Sequence, residues 1–300
     1  MHLSAVAQYD PISVLRDGPF VNLGFARHQH EGMLVFAESG QFVCNALRNK
    51  NITAVLTTPQ LAESVPGHLA VGVCENPRLA FAILHNELAR QGFYWDDFAT
   101  VIDPDAQVHP AAWVAEKNVR IEAGTTVGPR ATILERCIVG REVAVGAGCI
   151  LGGVGFQTVR KHGAMLEMEH AGGLEIKDRV RLLPGAIIAT GLFRESTTLA
   201  NGVRVGSLAF VSHGVQVGAR SFVGHGAVVN GGVTIGQDAW IGPGAVVAHE
   251  REIGDKAFVS LGAVVIRNVP SGSHRSGNFA VPHRPLLRFL AGLDSDFEPR

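Results

Sequence analysis

His213, Gly231 and His249 are spaced 18 residues apart and hold the same place in successive six-residue units of the chain. A neutral imidazole can accept a proton near pH 7. A glycine N–H, unshielded by any side chain, can donate to a developing oxyanion. A single histidine at a turn is usually just solvated, so the surrounding pattern has to carry the reading. Phe36 and Phe42, six residues apart, offer flat faces on which a planar ring could stack, although two such aromatics serve equally well as core.

The elements that must position these residues follow from the repeat. Every sixth residue from Val205 is Val205, Val211, Val217, Val223, Val229, Ile235, Ile241, Val247, Ile253, Val259 and Val265, without a miss. Glycine follows at 206, 218, 224, 236, 242 and 254, and the residue four beyond each aliphatic is mostly Ala, Ser or Val, with Arg251 departing. The same phase holds for Ile121, Val127, Ile133, Val139, Val145 and Leu151, and an offset run holds Ile102, Val108 and Val114. Interruptions at about 152–175 and 189–198 flank Ile176, Leu182 and Ile188, and both are expected to be external loops. One aliphatic in six with a small residue four later fits short strands joined by tight turns, stacked so that the aliphatics form an internal ladder. A helix does not fit this period, and a sandwich would alternate by two.

Residues 1–100 lack the repeat and read as a small α/β domain. Strands are expected at MLVFA (33–37), ITAVLTT (52–58) and HLAVGVC (68–74). One helix is expected after Ser39, carrying Phe42, Val43, Ala46 and Leu47, and another from Asn76–Pro77 to Gly92. The repeat domain is assigned to 101–269, and a tail with one short helix in LLRFLAGL to 270–300. Lys plus Arg number 26 against 27 acidic residues, a net charge of −1 that gives no electrostatic reason to bind nucleic acid. Neither a signal peptide nor an apolar run long enough to span a membrane is evident, so a cytoplasmic location is expected. Cys44, Cys74, Cys137 and Cys149 lack CxxC spacing and read as reduced, buried thiols.

With these elements in hand, the chain resembles the hexapeptide-repeat acyltransferases, and specifically the UDP-3-O-acylglucosamine N-acyltransferases of lipid A synthesis. The resemblance lies in FAESGQF (36–42), NPRLAFA (76–82), GGVGF (152–156) and FVSHGVQVG (210–218), in that order. It implies a mainly β protein, a left-handed parallel β-helix with three six-residue sides per coil, preceded by the α/β domain. The handedness comes from the resemblance, since the common crossover rule is right-handed. An eighteen-residue coil would stack His213, Gly231 and His249 in one column and put His225 on another face.

The resemblance further implies His213 as the base, Gly231 as oxyanion donor and His249 as a supporting polar group. Phe36 and Phe42 would sandwich a uracil, and His170, in the long loop, would touch the nucleotide-sugar. It implies a homotrimer, an acyl thioester as donor, with coenzyme A or an acyl carrier protein as its carrier, and neither cofactor nor metal. Departures lie around His213, where Gly206 and Ser207 precede and Gly214 follows in place of acidic and amide residues, and in the short C-terminal tail. Both put the amino sugar and the carrier protein in question, and surface glycans other than lipid A stay open. The alternatives weighed are a hexapeptide-repeat metal enzyme of the carbonic anhydrase type and a non-catalytic β-helix scaffold.

Overall fold

Short strands, most of them a residue pair ending in Val or Ile and followed by a tight corner, wind the second part of the chain into a three-sided parallel β-helix. The computed structural model describes residues 1–9, 12–41, 43, 48–161, 163–277 and 284–285. Phe42, Cys44, most of the helix expected after Ser39, His162 and the helix expected in LLRFLAGL lie outside those residues. The coils form three parallel sheets of nine, eight and eight strands. Val211, Val229, Val247 and Val265 pair in register along one of them.

The ladder aliphatics and the small residues four positions on, Ala209, Val215, Ala227 and Val233 among them, form one continuous buried core. Large residues fit mid-side and small ones fit the corners because a triangular section narrows there. Glycine after the aliphatic has a steric cause: a methyl at Gly218 would strike the main chain of Gly236 and Gln237 in the next coil.

Both interruptions differ from simple external loops. After Gly153, which pairs with Ala189, the chain leaves the prism and forms a β-hairpin from Thr158–Lys161 and Ala164–Glu167. In the second, Leu192 and Phe193 are fully buried. They share a core with Phe20, Leu23, Phe81 and Leu84 of the α/β domain. That domain needs apolar cover on its prism side, and this segment supplies it. The winding also passes the boundary expected at 269, because His274–Arg275 pairs with Phe258–Val259.

The N-terminal sheet has the order β1-β5-β4-β3-β2, with β1 Ser13–Arg16, β2 Asn22–Leu23, β3 Met33–Ala37, β4 Ile52–Thr57 and β5 Ala70–Val73. Strands β2 to β5 are parallel and β1 is antiparallel to β5. Besides the short α1 (Leu3–Val6), helix α2 (Pro77–Arg90) starts where Asn76 Oδ1 accepts the Leu79 N–H at 3.0 Å. Its apolar face carries Ala80, Phe81, Leu84 and Leu88, all buried. Cys74, Cys137 and Cys149 are buried. Among the described residues no helix is long and apolar enough to cross a membrane.

Candidate active site

The α/β domain, the insertion and the prism meet around a cleft of about 1510 Å³. Phe25, Phe36, Arg48, Lys50 and Arg78 line it from the first, Val154 to Val159 from the second, and Ser212, His213, Asn230, Gly231, His249 and Glu250 from the third. His213, Gly231 and His249 therefore share one column. Gly232 N–H donates to the His213 carbonyl at 2.9 Å and Glu250 N–H to the Gly231 carbonyl at 3.0 Å, which fixes the stacking. Gly214, at φ +67°, and Gly232, at φ +69°, take the left-handed turn that ends each corner, a conformation glycine adopts without strain. His249 lies two strand spacings, about 9.6 Å, beyond His213 along the column, and is exposed.

A methyl at Gly231 would run into the His213 ring, so only a glycine there leaves the imidazole in its place. Its N–H makes no hydrogen bond among the described residues. Burial lowers the His213 pKa below 6.5, with the Glu195 carboxylate opposing and Arg27 assisting, so the imidazole is neutral at pH 7 and able to take a proton. Arg27, which reaches from the α/β domain to pair with Glu250, has its pKa lowered to about 10 by burial and keeps its charge.

His170 does not stand on the cleft wall as the resemblance implies. It is 6% exposed and packs edge-on against His213, with ring centroids 5.4 Å apart. Its Nε2 accepts the Gly155 N–H at 2.9 Å, which orients the ring behind the base and away from a ligand. Burial lowers its pKa to about 4. His225 stands on another corner, where Nδ1 accepts the Ser207 N–H at 3.0 Å. Phe36 is half-buried on the cleft wall, against Phe81 at 5.1 Å and under the Arg78 guanidinium at 5.4 Å.

Several site residues escaped the sequence reading. Arg48 and Lys50 line the cleft and Arg27 crosses it, but nothing in a periodic pattern marks isolated cations. Phe156, 86% exposed on the insertion and lining the cleft, closes the GGVGF segment (152–156). His28, His30 and Glu195 come together beside His213 from distant parts of the chain. Burial pushes the Glu195 carboxyl up, but His30, the charge of His28 and the Leu192 N–H together hold it down to about 2. Burial lowers the His28 pKa to about 4.

The prism and its side domain define the class first: a parallel β-helix of six-residue repeats with a histidine-lined cleft. No protein-family model matches the chain. A UDP-N-acetylglucosamine acyltransferase from Campylobacter jejuni superposes with a TM-score of 0.50 at 14% identity, covering 65% of this chain and 82% of that one, which shows the shared left-handed β-helix fold. In sequence the chain is similar to UDP-3-O-acylglucosamine N-acyltransferases. It is 30% identical over 122 residues to that of Paracidovorax citrulli, a match covering 35% of this chain and 36% of the relative. With that of Pseudomonas savastanoi pv. phaseolicola it shares 25% over 224 residues, covering 66% and 62%. The matched segments thus span from about a third to under two thirds of these relatives.

Proposed function

We propose that this protein is an N-acyltransferase that moves an acyl group from a thioester to the amine of a UDP-linked amino sugar, for lipid A or another surface glycan. The observation that carries the reading is the neutral His213 imidazole stacked over the side-chain-free Gly231 at the floor of the cleft. The names of the similar proteins supply the substrate class.

In the proposed reaction the sugar amine attacks the thioester carbonyl carbon while His213 takes its proton. Gly231 N–H donates to the oxyanion of the tetrahedral intermediate. Collapse forms the amide and expels the thiolate, which regains the proton from His213. Lying about 9.6 Å further along the column, His249 would contact the substrate beyond the reacting carbon. Arg48, Lys50 and Arg78 line the same cleft and suit a diphosphate. Phe36 suits the base, in the role that Phe42 would share and that His170, being buried, would not.

Coenzyme A or an acyl carrier protein would carry the acyl group, the enzyme would act in the cytoplasm, and no cofactor is needed by this chemistry. We also propose a homotrimer. Phe222, Trp240 and Phe258 form an exposed ladder on one prism side, with centroids 5.1 and 5.9 Å apart, an apolar face that a second copy would cover. The test of function is incubation with UDP-linked amino sugars and acyl thioesters. Thiol release that depends on the amino sugar supports the reading, and its absence across donors and acceptors refutes it.

A further inference from the structure

We propose that His28, His30 and Glu195 form a binding site for one divalent transition-metal ion of the zinc class, which ties the α/β domain to the prism beside the cleft. Their donor atoms all lie within 4.8 Å of one another. His28 Nδ1 stands 3.5 Å and His30 Nε2 3.4 Å from Glu195 Oε2. These separations are long for hydrogen bonds, yet two donors each about 2.1 Å from a shared tetrahedral ion stand about 3.4 Å apart.

Two of these polar atoms have no hydrogen-bond partner among the described residues. The Glu195 side chain is 9% exposed, and its Oε1 accepts the Leu192 N–H at 3.1 Å. Glu195 Oε2 and His28 Nδ1 are buried without a hydrogen-bond partner among the described residues, a costly arrangement that a cation would relieve. Two imidazole nitrogens and one carboxylate oxygen are a donor set suited to Zn(II) and Co(II).

The ligands are held in place before any ion arrives. The His28 ring packs against Phe25 at 5.4 Å and Phe193 at 5.9 Å. Asn49 Nδ2 donates to the Ala26 carbonyl at 2.9 Å and the His28 carbonyl at 2.6 Å, pinning the segment. Within it, Arg27 and Gln29 line the cleft while His28 and His30 turn to Glu195. An ion on one side of the segment therefore fixes the cleft wall on the other. The site lies beside the His213 column without sharing its residues, and ion binding there does not depend on the reaction proposed for the column.

The test uses the full chain, stripped with a chelator and titrated with CoCl2 and ZnCl2. One equivalent of Co(II) per chain is expected, seen in the visible absorption of the bound ion, with Zn(II) displacing it and raising the thermal midpoint. His30→Ala and Glu195→Gln should weaken binding at least ~100-fold. His30 is the most exposed of the three ligands, so its variant keeps the test interpretable if Glu195→Gln fails to fold. Failure of the folded wild type to bind stoichiometrically, as expected if the cluster is only an ion pair, overturns the proposal, as does binding undiminished in His30→Ala.

Discussion

His170 stands edge-on to His213, their rings 5.4 Å apart and inclined by 74°, and its Nε2 is held by the Gly155 N–H. The residue behind the proposed base is thus fixed by the first turn of the insertion, and the insertion in turn forms one wall of the cleft.

Replacing His213 by alanine should lower turnover by about two to four orders of magnitude, the usual worth of a general base, with an unchanged thermal midpoint. Because burial lowers the His213 pKa, the base stays unprotonated to lower pH than an ordinary imidazole, and the acid limb of the kcat/KM profile should fall below 6.5. A limb centred at or above 6.5, or full activity in His213→Ala, removes this residue from the mechanism.

Gly231→Ala should retain the fold, because its backbone is not in the left-handed region, but the added methyl displaces the His213 ring. Turnover is expected to drop about 10²–10³-fold, comparable with loss of an oxyanion donor. Wild-type kinetics in this variant would show that His213 does not act from its position over Gly231.

Phe36→Ala should raise the KM for the nucleotide-sugar about 5- to 100-fold, the worth of one stacked base, while kcat changes less. Stacking remote from the amine is felt alike in ground and transition states. Steady-state kinetics at varied sugar concentration decides the point, and an unmoved KM places the base elsewhere.

Stability should decline in mild acid through His85 and His170. Burial lowers both pKa values to about 4 from 6.5. His85 is locked between Tyr94 Oη at 2.8 Å and the Glu169 carbonyl at 2.7 Å. Between pH 6.5 and 4 the unfolded chain binds more protons than the native one, so the stability present above pH 6.5 is lost as pH falls, by up to about 1.4 kcal/mol per pH unit for each group. Urea midpoints measured across this range should fall, and less steeply in His85→Gln.

If the aromatic ladder is the subunit face, Trp240→Lys should convert the assembly to monomers in sedimentation velocity without loss of secondary structure. A variant that sediments as the wild type does shifts the contact to another side of the prism.

Much of this was legible in the residues alone. Unbroken aliphatics from Val205 to Val265 determine short strands, a buried ladder and the corner glycines, because a six-residue side with a narrow interior admits little else. From these, and the coil length implied by the family resemblance, followed the column of His213, Gly231 and His249. The Asn76–Pro77 helix start was equally plain, since capping is local. Tertiary structure alone decided what the interruptions do: Leu192 and Phe193 are buried because the α/β domain docks there, and His170 turns inward because Gly155 offers it a donor. The meeting of His28, His30 and Glu195 was also invisible in sequence. No period relates residues some 165 positions apart, and only the packing of one domain on the other brings them together.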